Sequence, residues 1–120
     1  MASAVGEIIA SKEFYDYEAK YLDGGKSEIR IPADITESQK NEIRNMAVKA
    51  YKALDCCGFS RVDFFINKET GEILINEINT IPGFTKYSMF PLLWKEAGIE
   101  YSKLIDMLIE YGMEKYKDRG

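Results

Sequence analysis

Residues 61–79 read RVDFFINKETGEILINEIN, and this stretch decides the fold. Two runs rich in aromatic and β-branched residues flank a polar segment that contains Gly71, a pattern typical of a β-hairpin. We expect a three-residue loop, residues 69–71, with Gly71 in the left-handed conformation that such loops need. That loop sets three cross-strand pairs: Asp63 with Glu77, Arg61 with Asn79, and Phe65 with Ile75. A loop of two or four residues would separate Asp63 from Glu77, unless a β-bulge restored the parity.

The predicted register brings two carboxylates face to face, with Cβ atoms about 5 Å apart. Such a pair repels itself unless it shares a proton, meets a cation or binds a metal. Asp63, Glu77 and Asn79 all offer hard oxygen atoms, which suit Mg²⁺ completed by phosphate oxygens and water. Arg61 would lie beside them, where its planar guanidinium can hold a phosphate or an oxyanion.

The alternative is a solvent-facing strand surface that carries an ordinary arginine–carboxylate pair, since exposed antiparallel faces routinely carry charges. Apolar residues occur in both phases of the two strands, which indicates that both faces are largely covered: Val62, Phe64, Ile66, Leu74 and Ile78 in one, and Phe65, Ile73 and Ile75 in the other. Covered carboxylates need partners, and this favours the metal hypothesis.

The rest of the chain supplies strands and helices around this hairpin. Short apolar runs predict strands at residues 6–10 and 27–32. Thr36 and Gln39 form a capping-box pattern that begins a helix over residues 37–55. Helices are also expected at residues 88–97, with Pro91 in the first turn, and at 102–117. Hairpins with helices beside them predict an α+β domain with a largely antiparallel sheet and flanking helices.

Composition excludes several functional classes. The chain has 120 residues, enough for one domain, and contains no histidine, which excludes histidine-based triads and HExxH zinc sites. The net charge of −4 gives no support for nucleic-acid binding. Apolar runs are too short to span a membrane, and no signal peptide is visible. Two adjacent cysteines, Cys56 and Cys57, are expected to be reduced thiols, which indicates a cytoplasmic location.

Two loops are candidates for function. Residues 14–21 read FYDYEAKY and fit neither helical nor strand periodicity, so they are expected to form a long loop. Pro82 and Gly83 follow the second hairpin strand and predict a type II turn. The backbone amide of Gly83 would then be available to a ligand, as an oxyanion donor is.

Three segments together resemble the D-alanine–D-alanine ligases: the FYDYEAKY loop, RVD at residues 61–63, and NEINTIPGFT at 76–85 followed by SMFP at 88–91. Their order and spacing cover nearly the whole chain. The resemblance implies an ATP-grasp fold, of which residues 1–120 form the C-terminal subdomain, without the N-terminal and central regions. It implies an enzyme that phosphorylates D-alanine with ATP, attacks the acylphosphate with a second D-amino acid, and makes the dipeptide end of the peptidoglycan precursor.

The resemblance also assigns roles to individual residues. It implies ATP and two Mg²⁺ ions as cofactors, with Mn²⁺ as an alternative ion, and these metal ligands: Asp63, Glu77 and Asn79. The residues that match positions near the nucleotide are Phe14, Tyr15, Lys20 and Asn76; Asn76 departs from the apolar residue of some relatives. The residues that match catalytic positions are Arg61, Gly83 and Tyr21. The residues that match positions binding the second substrate's carboxylate are Ser88 and Met89.

Several alternatives stay open. The sequence does not separate D-alanine from D-serine as the second substrate, since vancomycin-resistance ligases that add D-serine share the 81–85 segment. A different ATP-grasp ligase and a non-enzymatic metal-binding or interaction domain are the other hypotheses. The isolated chain is expected to be inactive. A piece of a larger fold exposes apolar surface, so we expect a homodimer, with no nucleic-acid or membrane partner.

Overall fold

The structure, a computed structural model, describes residues 1–9 and 28–119. Its elements in chain order are β1 (Glu7–Ile9), β2 (Glu28–Arg30), α1 (Glu37–Ala53), β3 (Arg61–Ile66), β4 (Ile73–Asn79), α2 (Met89–Glu96) and α3 (Tyr101–Arg119). The α+β class is confirmed. Within the described residues the strands form two separate antiparallel pairs, β1 with β2 and β3 with β4, rather than one continuous sheet.

The loop between β3 and β4 is one residue longer than predicted. The Asn67 N–H donates to the Glu72 carbonyl at 2.8 Å, so residues 68–71 form a four-residue loop. The Asn67 side-chain oxygen accepts hydrogen bonds from two loop amides, at 2.9 and 3.2 Å. Gly71 has the expected left-handed conformation, with φ of 76°. The prediction of a three-residue loop is wrong because the Asn67 side chain stabilises the wider turn.

A β-bulge restores the parity that this loop would otherwise remove. Asp63 pairs with Glu77, whereas the next residue, Phe64, pairs with Ile75, so Asn76 has no partner on β3. The predicted pairing of Arg61 with Asn79 and of Asp63 with Glu77 is therefore confirmed. The third predicted pair is wrong, because Phe65 lies opposite Leu74 rather than Ile75.

The bulge also sorts the side chains of the hairpin onto two distinct faces. One, which we call the charged face, carries Arg61, Asp63, Phe65, Leu74, Glu77 and Asn79. The other is apolar throughout and carries Val62, Phe64, Ile66, Ile73, Ile75 and Ile78. The sequence had placed Ile73 and Ile75 with Glu77, and the inserted residue moves them to the opposite face. The expectation that both faces are covered is wrong for the charged face, where Phe65 is 60% exposed.

Apart from prolines, five apolar side chains are buried among the described residues: Ala33, Ile43, Ile73, Phe90 and Leu104. They come from the segment after β2, from α1, from β4, from α2 and from α3; α1 packs against β4, and α2 packs against α3. An aromatic cluster extends this core toward the loop after β4, since the Phe84 ring lies 5.7 Å from that of Phe90 and 5.6 Å from that of Tyr101.

Local hydrogen bonds fix the start of α1. The Thr36 hydroxyl accepts from the Gln39 N–H, and the Gln39 side chain accepts from the Thr36 N–H, both at 3.1 Å. This confirms the predicted capping box.

Beyond the helix, Cys56 and Cys57 are free thiols. Burial, then the neighbouring thiols Cys57 and Cys56, and lastly Tyr111, raise the pKa of Tyr51 above its usual 10.0. None of the helices in residues 1–9 and 28–119 is long and apolar enough to cross a membrane.

The β1–β2 pair lies against α2. A Cβ atom on Gly6 would lie 2.7 Å from Leu93 Cδ2 and 2.8 Å from Met89 Cε, so the absence of a side chain at position 6 lets α2 approach closely. The Glu7 carboxylate accepts from the Asp34 N–H at 3.0 Å, which ties β1 to the segment after β2. The close approach of Met89 and Leu93 to Gly6 places α2 against the segment that leads into β1.

Candidate active site

The charged face brings an arginine and two carboxylates together at one end of the hairpin. Arg61 and Asp63 lie two residues apart on β3, so their side chains share a face. The Arg61 guanidinium donates to both carboxylate oxygens of Asp63, from Nε to Oδ1 at 3.0 Å and from Nη2 to Oδ2 at 3.1 Å. These side chains are 25% and 27% exposed. Arg61 thus supplies the nearby cation that the pair of carboxylates requires.

Glu77 and Asn79 complete this group from β4. Glu77 lies opposite Asp63, and Asn79 lies opposite Arg61. The Asn79 side-chain oxygen accepts from the Ile81 N–H at 3.0 Å, which turns the chain out of the strand. An amide oxygen has two lone pairs, so this hydrogen bond leaves one for another ligand.

This donor set fits a hard divalent cation of the Mg²⁺ class. Two carboxylates and one amide oxygen supply part of an octahedral shell, and a phosphate ligand and water can complete it. No group of three or more His, Cys, Asp or Glu side chains suited to a metal occurs in residues 1–9 and 28–119. A cation here would therefore depend on oxygens that arrive with a second ligand. The metal-ligand assignments stay predictions.

Asn76 occupies the bulge, which the sequence analysis names only as an alternative, without a position. It is exposed and has no cross-strand partner, and bulges commonly re-aim a side chain next to a site. A signal was available in the sequence. Leu74, Asn76 and Ile78 occupy alternate positions of β4, and Asn76 is the polar residue among them. An inserted residue produces such a break in the alternation of apolar and polar residues. Its predicted contact with the nucleotide stays a prediction.

The loop from β4 to α2 positions two further predicted residues. The Ser88 hydroxyl accepts from the Thr85 N–H at 2.9 Å and lies 2.8 Å from the Thr85 hydroxyl. A Cβ atom on Gly83 would lie 3.4 Å from the Ser88 hydroxyl oxygen, so Gly83 and Ser88 are neighbours. Gly83 does not adopt a left-handed φ, so the predicted type II turn is wrong. Among the described residues, the Gly83 N–H donates to no protein acceptor.

Ser88 and Met89 lie where α2 begins. Ser88 is the N-cap residue, and its side chain makes no capping hydrogen bond because it is held by Thr85. The Met89 side chain packs toward Gly6, so its backbone N–H is the group that can face a ligand. The first amides of a helix have no intrahelical acceptor, and they attract anions. This end of α2 can therefore receive a carboxylate through a hydroxyl and a backbone amide.

Four predicted site residues fall in residues 10–27, outside those that the structure describes: Phe14, Tyr15, Lys20 and Tyr21.

Known proteins share the sequence and the fold of this chain. The family described as D-ala D-ala ligase C-terminus matches residues 1–110. The D-alanine–D-alanine ligase of Acetivibrio thermocellus is 58% identical over 118 residues, which are 98% of this chain and 31% of that protein.

Two solved structures are similar in fold. The VanG D-Ala:D-Ser ligase from Enterococcus faecalis has a TM-score of 0.77 at 44% identity, over 91% of this chain and 31% of that one. The D-alanine–D-alanine ligase from Bacillus anthracis complexed with ATP has a TM-score of 0.77 at 34% identity, over 98% of this chain and 38% of that one. The chain thus spans about a third of the length of these relatives. Both the match to the family and the similarity of fold place the chain in the D-alanine–D-alanine ligase family, in the C-terminal region of its ATP-grasp fold.

Proposed function

We propose that this chain is the catalytic-metal part of an ATP-dependent ligase that joins D-alanine to a second D-amino acid. The observation that carries the proposal is the charged face, where Asp63 lies opposite Glu77 beside Arg61 in a chain of this family. In the proposed reaction the D-alanine carboxylate takes the γ-phosphoryl group of ATP. The amine of the second substrate then attacks the acylphosphate, and phosphate leaves. The product is the dipeptide end of the peptidoglycan precursor.

The hairpin would handle the charge of the phosphates. Asp63, Glu77 and Asn79 are proposed to hold two Mg²⁺ ions, or Mn²⁺ as an alternative. When bound, such ions offset the repulsion between phosphate oxygens and the incoming carboxylate. Arg61 is proposed to donate to the transferred phosphoryl group, since a guanidinium offers paired N–H groups to phosphate oxygens.

The start of α2 would hold the second substrate. The Ser88 hydroxyl and the Met89 N–H are proposed to donate to its carboxylate. Thr85 supports this role, because its amide fixes the position of the Ser88 oxygen. The Gly83 N–H, which lies beside Ser88, is proposed to donate to the oxyanion of the tetrahedral intermediate.

The nucleotide contacts are proposed on the resemblance alone. Lys20 would contact the ATP phosphates, and Phe14 and Tyr15 would lie near the nucleotide. Asn76 would contribute from the bulge, and Tyr21 matches ligases that add D-alanine. Residues 1–120 would then form the C-terminal subdomain of a protein whose other regions bind the first D-alanine and the adenine.

The second substrate is proposed to be D-alanine, with D-serine as the second candidate. The similarity to VanG, a D-Ala:D-Ser ligase, supports D-serine as the second candidate.

The remaining proposals concern where the protein acts and with what. ATP and nucleotide-linked precursors are found in the cytoplasm, and free thiols at Cys56 and Cys57 agree with that location.

A homodimer is proposed because large apolar side chains are exposed, among them Phe65 at 60% and Ile81 at 84%. Light scattering at several concentrations would show a dimer mass, and a monomer throughout would contradict this part.

A chimera tests the activity. Residues 1–120 would replace the matching third of the Acetivibrio thermocellus ligase, and product would be measured with ATP, Mg²⁺ and D-alanine, with and without D-serine. The proposal predicts D-alanyl-D-alanine. A mixed D-alanyl-D-serine product under competition would favour the second candidate. A chimera that is folded by circular dichroism but forms neither product would contradict the proposal.

The chain by itself is predicted to form no product. It contains one part of each proposed binding site, so ATP and D-alanine would not be positioned against each other. If the 120-residue chain alone formed D-alanyl-D-alanine, the division of the site between this chain and the rest of the ligase would be wrong. The hypothesis of a domain that only binds metal predicts instead that the chimera binds Mn²⁺ and stays inactive.

A further inference from the structure

We propose that the Arg61 guanidinium occupies the cation position of Asp63, so that Arg61 and a divalent cation compete for this one carboxylate. The inference rests on the proposed function, in which Asp63 is a metal ligand and Arg61 contacts phosphate. It goes beyond that function because it makes cation binding the event that releases Arg61.

The Arg61 guanidinium already covers the oxygen atoms of Asp63 that a cation would use. Arg61 contacts both oxygens of Asp63 at once, at 3.0 and 3.1 Å, which is the two-pronged arrangement of a guanidinium on a carboxylate. A divalent cation on Asp63 needs the same oxygen atoms and the same negative charge. Two cations on one carboxylate also repel each other. The two-pronged contact and a tightly bound cation are therefore alternative states of Asp63.

The position of Glu77 explains why a cation could displace the arginine. Asp63 lies directly opposite Glu77, so two carboxylates face each other at this point of the ladder. A divalent cation carries two positive charges and can contact both carboxylates, whereas a guanidinium carries one positive charge. Both partners of the two-pronged contact are about three-quarters shielded from solvent, at 25% and 27% exposure, so water screens the pair only in part.

Release of Arg61 would place a guanidinium beside the site when the cation arrives. A nucleoside triphosphate binds together with a divalent cation. Its arrival would therefore deliver phosphate oxygens and also release the Arg61 guanidinium to donate to them. On this account the Arg61 guanidinium offsets the repulsion between the two carboxylates whenever no cation contacts Asp63.

Mn²⁺ binding to the 120-residue chain tests the competition without any measurement of activity. Free Mn²⁺ would be measured by electron paramagnetic resonance for the wild type and three variants. Arg61→Met removes the competing cation, and the account predicts an association constant raised about tenfold. Arg61→Lys keeps the charge but loses the fork, and a rise of about threefold is expected. Lys68→Met removes one charge from the loop of the same hairpin, and a change under about twofold is expected.

The outcomes separate this inference from the proposed function. If the wild type binds Mn²⁺ and Arg61→Met binds it equally or more weakly, the competition is wrong and the metal site stands. Equal rises for Arg61→Met and Lys68→Met would also overturn the competition, because net charge would then explain both. If neither the wild type nor Arg61→Met binds, the metal site of the proposed function fails as well.

A second measurement follows the unaltered chain, and a variant serves only to assign one resonance. The Arg61 Nε–H resonance, assigned by its loss in Arg61→Lys, would be followed by ¹H–¹⁵N spectroscopy during addition of diamagnetic Mg²⁺. The account predicts that this proton exchanges faster with water as the Asp63 resonances shift. An Nε–H signal that stays protected after the Asp63 resonances have saturated would overturn the competition.

Discussion

The charged face of the hairpin and the start of α2 are both candidate binding surfaces, but they are built in different ways. On the charged face, charges on two strands meet because Asp63 pairs with Glu77, and their placement depends on the residue inserted at Asn76. At the start of α2, a hydroxyl and backbone amides are held by hydrogen bonds within residues 85–88. The first surface therefore depends on the register of the whole hairpin, and the second depends on a few local contacts.

The hairpin should consequently be sensitive to changes in length and charge, and the start of α2 to single side chains.

Glu77→Gln keeps the shape of the side chain but removes one of the two facing charges. In the chimera we expect the turnover rate to fall on the order of 10³-fold, because the variant weakens the proposed cation site where phosphate charge develops. Steady-state kinetics of phosphate release measures this. Glu69→Gln, in the loop at the other end of the hairpin, is the matched control and should retain activity. Similar losses in the two variants would show that the charge at position 77 has no special role.

Insertion of one alanine between Ile75 and Asn76 lengthens β4 at the bulge and, if a single residue still bulges there, should place Asn76 opposite Asp63 and Glu77 on the apolar face. We expect Mn²⁺ affinity of the 120-residue chain to fall about 100-fold, since Asp63 would lose its facing carboxylate. The control is Asn76→Ala, which keeps the chain length and should keep most of the affinity. Unchanged binding after the insertion would mean that the site does not need the observed register.

Ser88→Ala removes the acceptor of the Thr85 N–H and the hydroxyl proposed for the second substrate. In the chimera the KM for the second D-amino acid should rise about tenfold with a small change in kcat, the size expected for one hydrogen bond to a charged group. Ser102→Ala, in the first turn of α3, is the control and should leave both constants unchanged. An equal fall in kcat and kcat/KM would point to a different role for Ser88.

Gly71→Ala tests the turn that sets the register. Gly71 has a φ of 76°, which costs a residue with a Cβ about 1–2 kcal/mol, so the chain should lose about that much stability in urea unfolding. Gly112→Ala is the opposite control, because position 112 lies in α3 with open space for a Cβ. There alanine should stabilise the chain by about 0.5–1 kcal/mol. If both substitutions had the same sign, the left-handed conformation at Gly71 would not matter to the hairpin.

Sequence reasoning succeeded where the signal is local. The capping box joins Thr36 and Gln39, which are only three residues apart. The aromatic and β-branched composition of each hairpin run is sufficient to predict a strand. The pairing of Asp63 with Glu77 was also predicted, but through a three-residue loop. Its true origin is a four-residue loop combined with a bulge, two changes of parity that cancel.

Other features depend on geometry that a pattern does not contain. The hydrogen bonds between Arg61 and Asp63 depend on the conformations of both side chains, which the sequence does not specify. An arginine two residues from an aspartate on a strand predicts only that the two side chains share a face. Pro82 followed by Gly83 resembles a type II turn, yet hydrogen bonds around Ser88 set the shape of this loop, so Gly83 does not need a left-handed conformation. The packing of Met89 against Gly6 joins residues far apart in the chain, which no local signal marks.

The central claim is that the bulged hairpin places a divalent-cation site on its charged face. Paramagnetic line broadening tests it most directly, with Mn²⁺ added in small amounts to the ¹⁵N-labelled 120-residue chain. The account predicts that broadening begins at residues 61–63 and 77–79 and spares the loop at residues 68–71. Broadening that begins at the acidic residues of α3, or that spreads evenly over all exposed carboxylates, would contradict it.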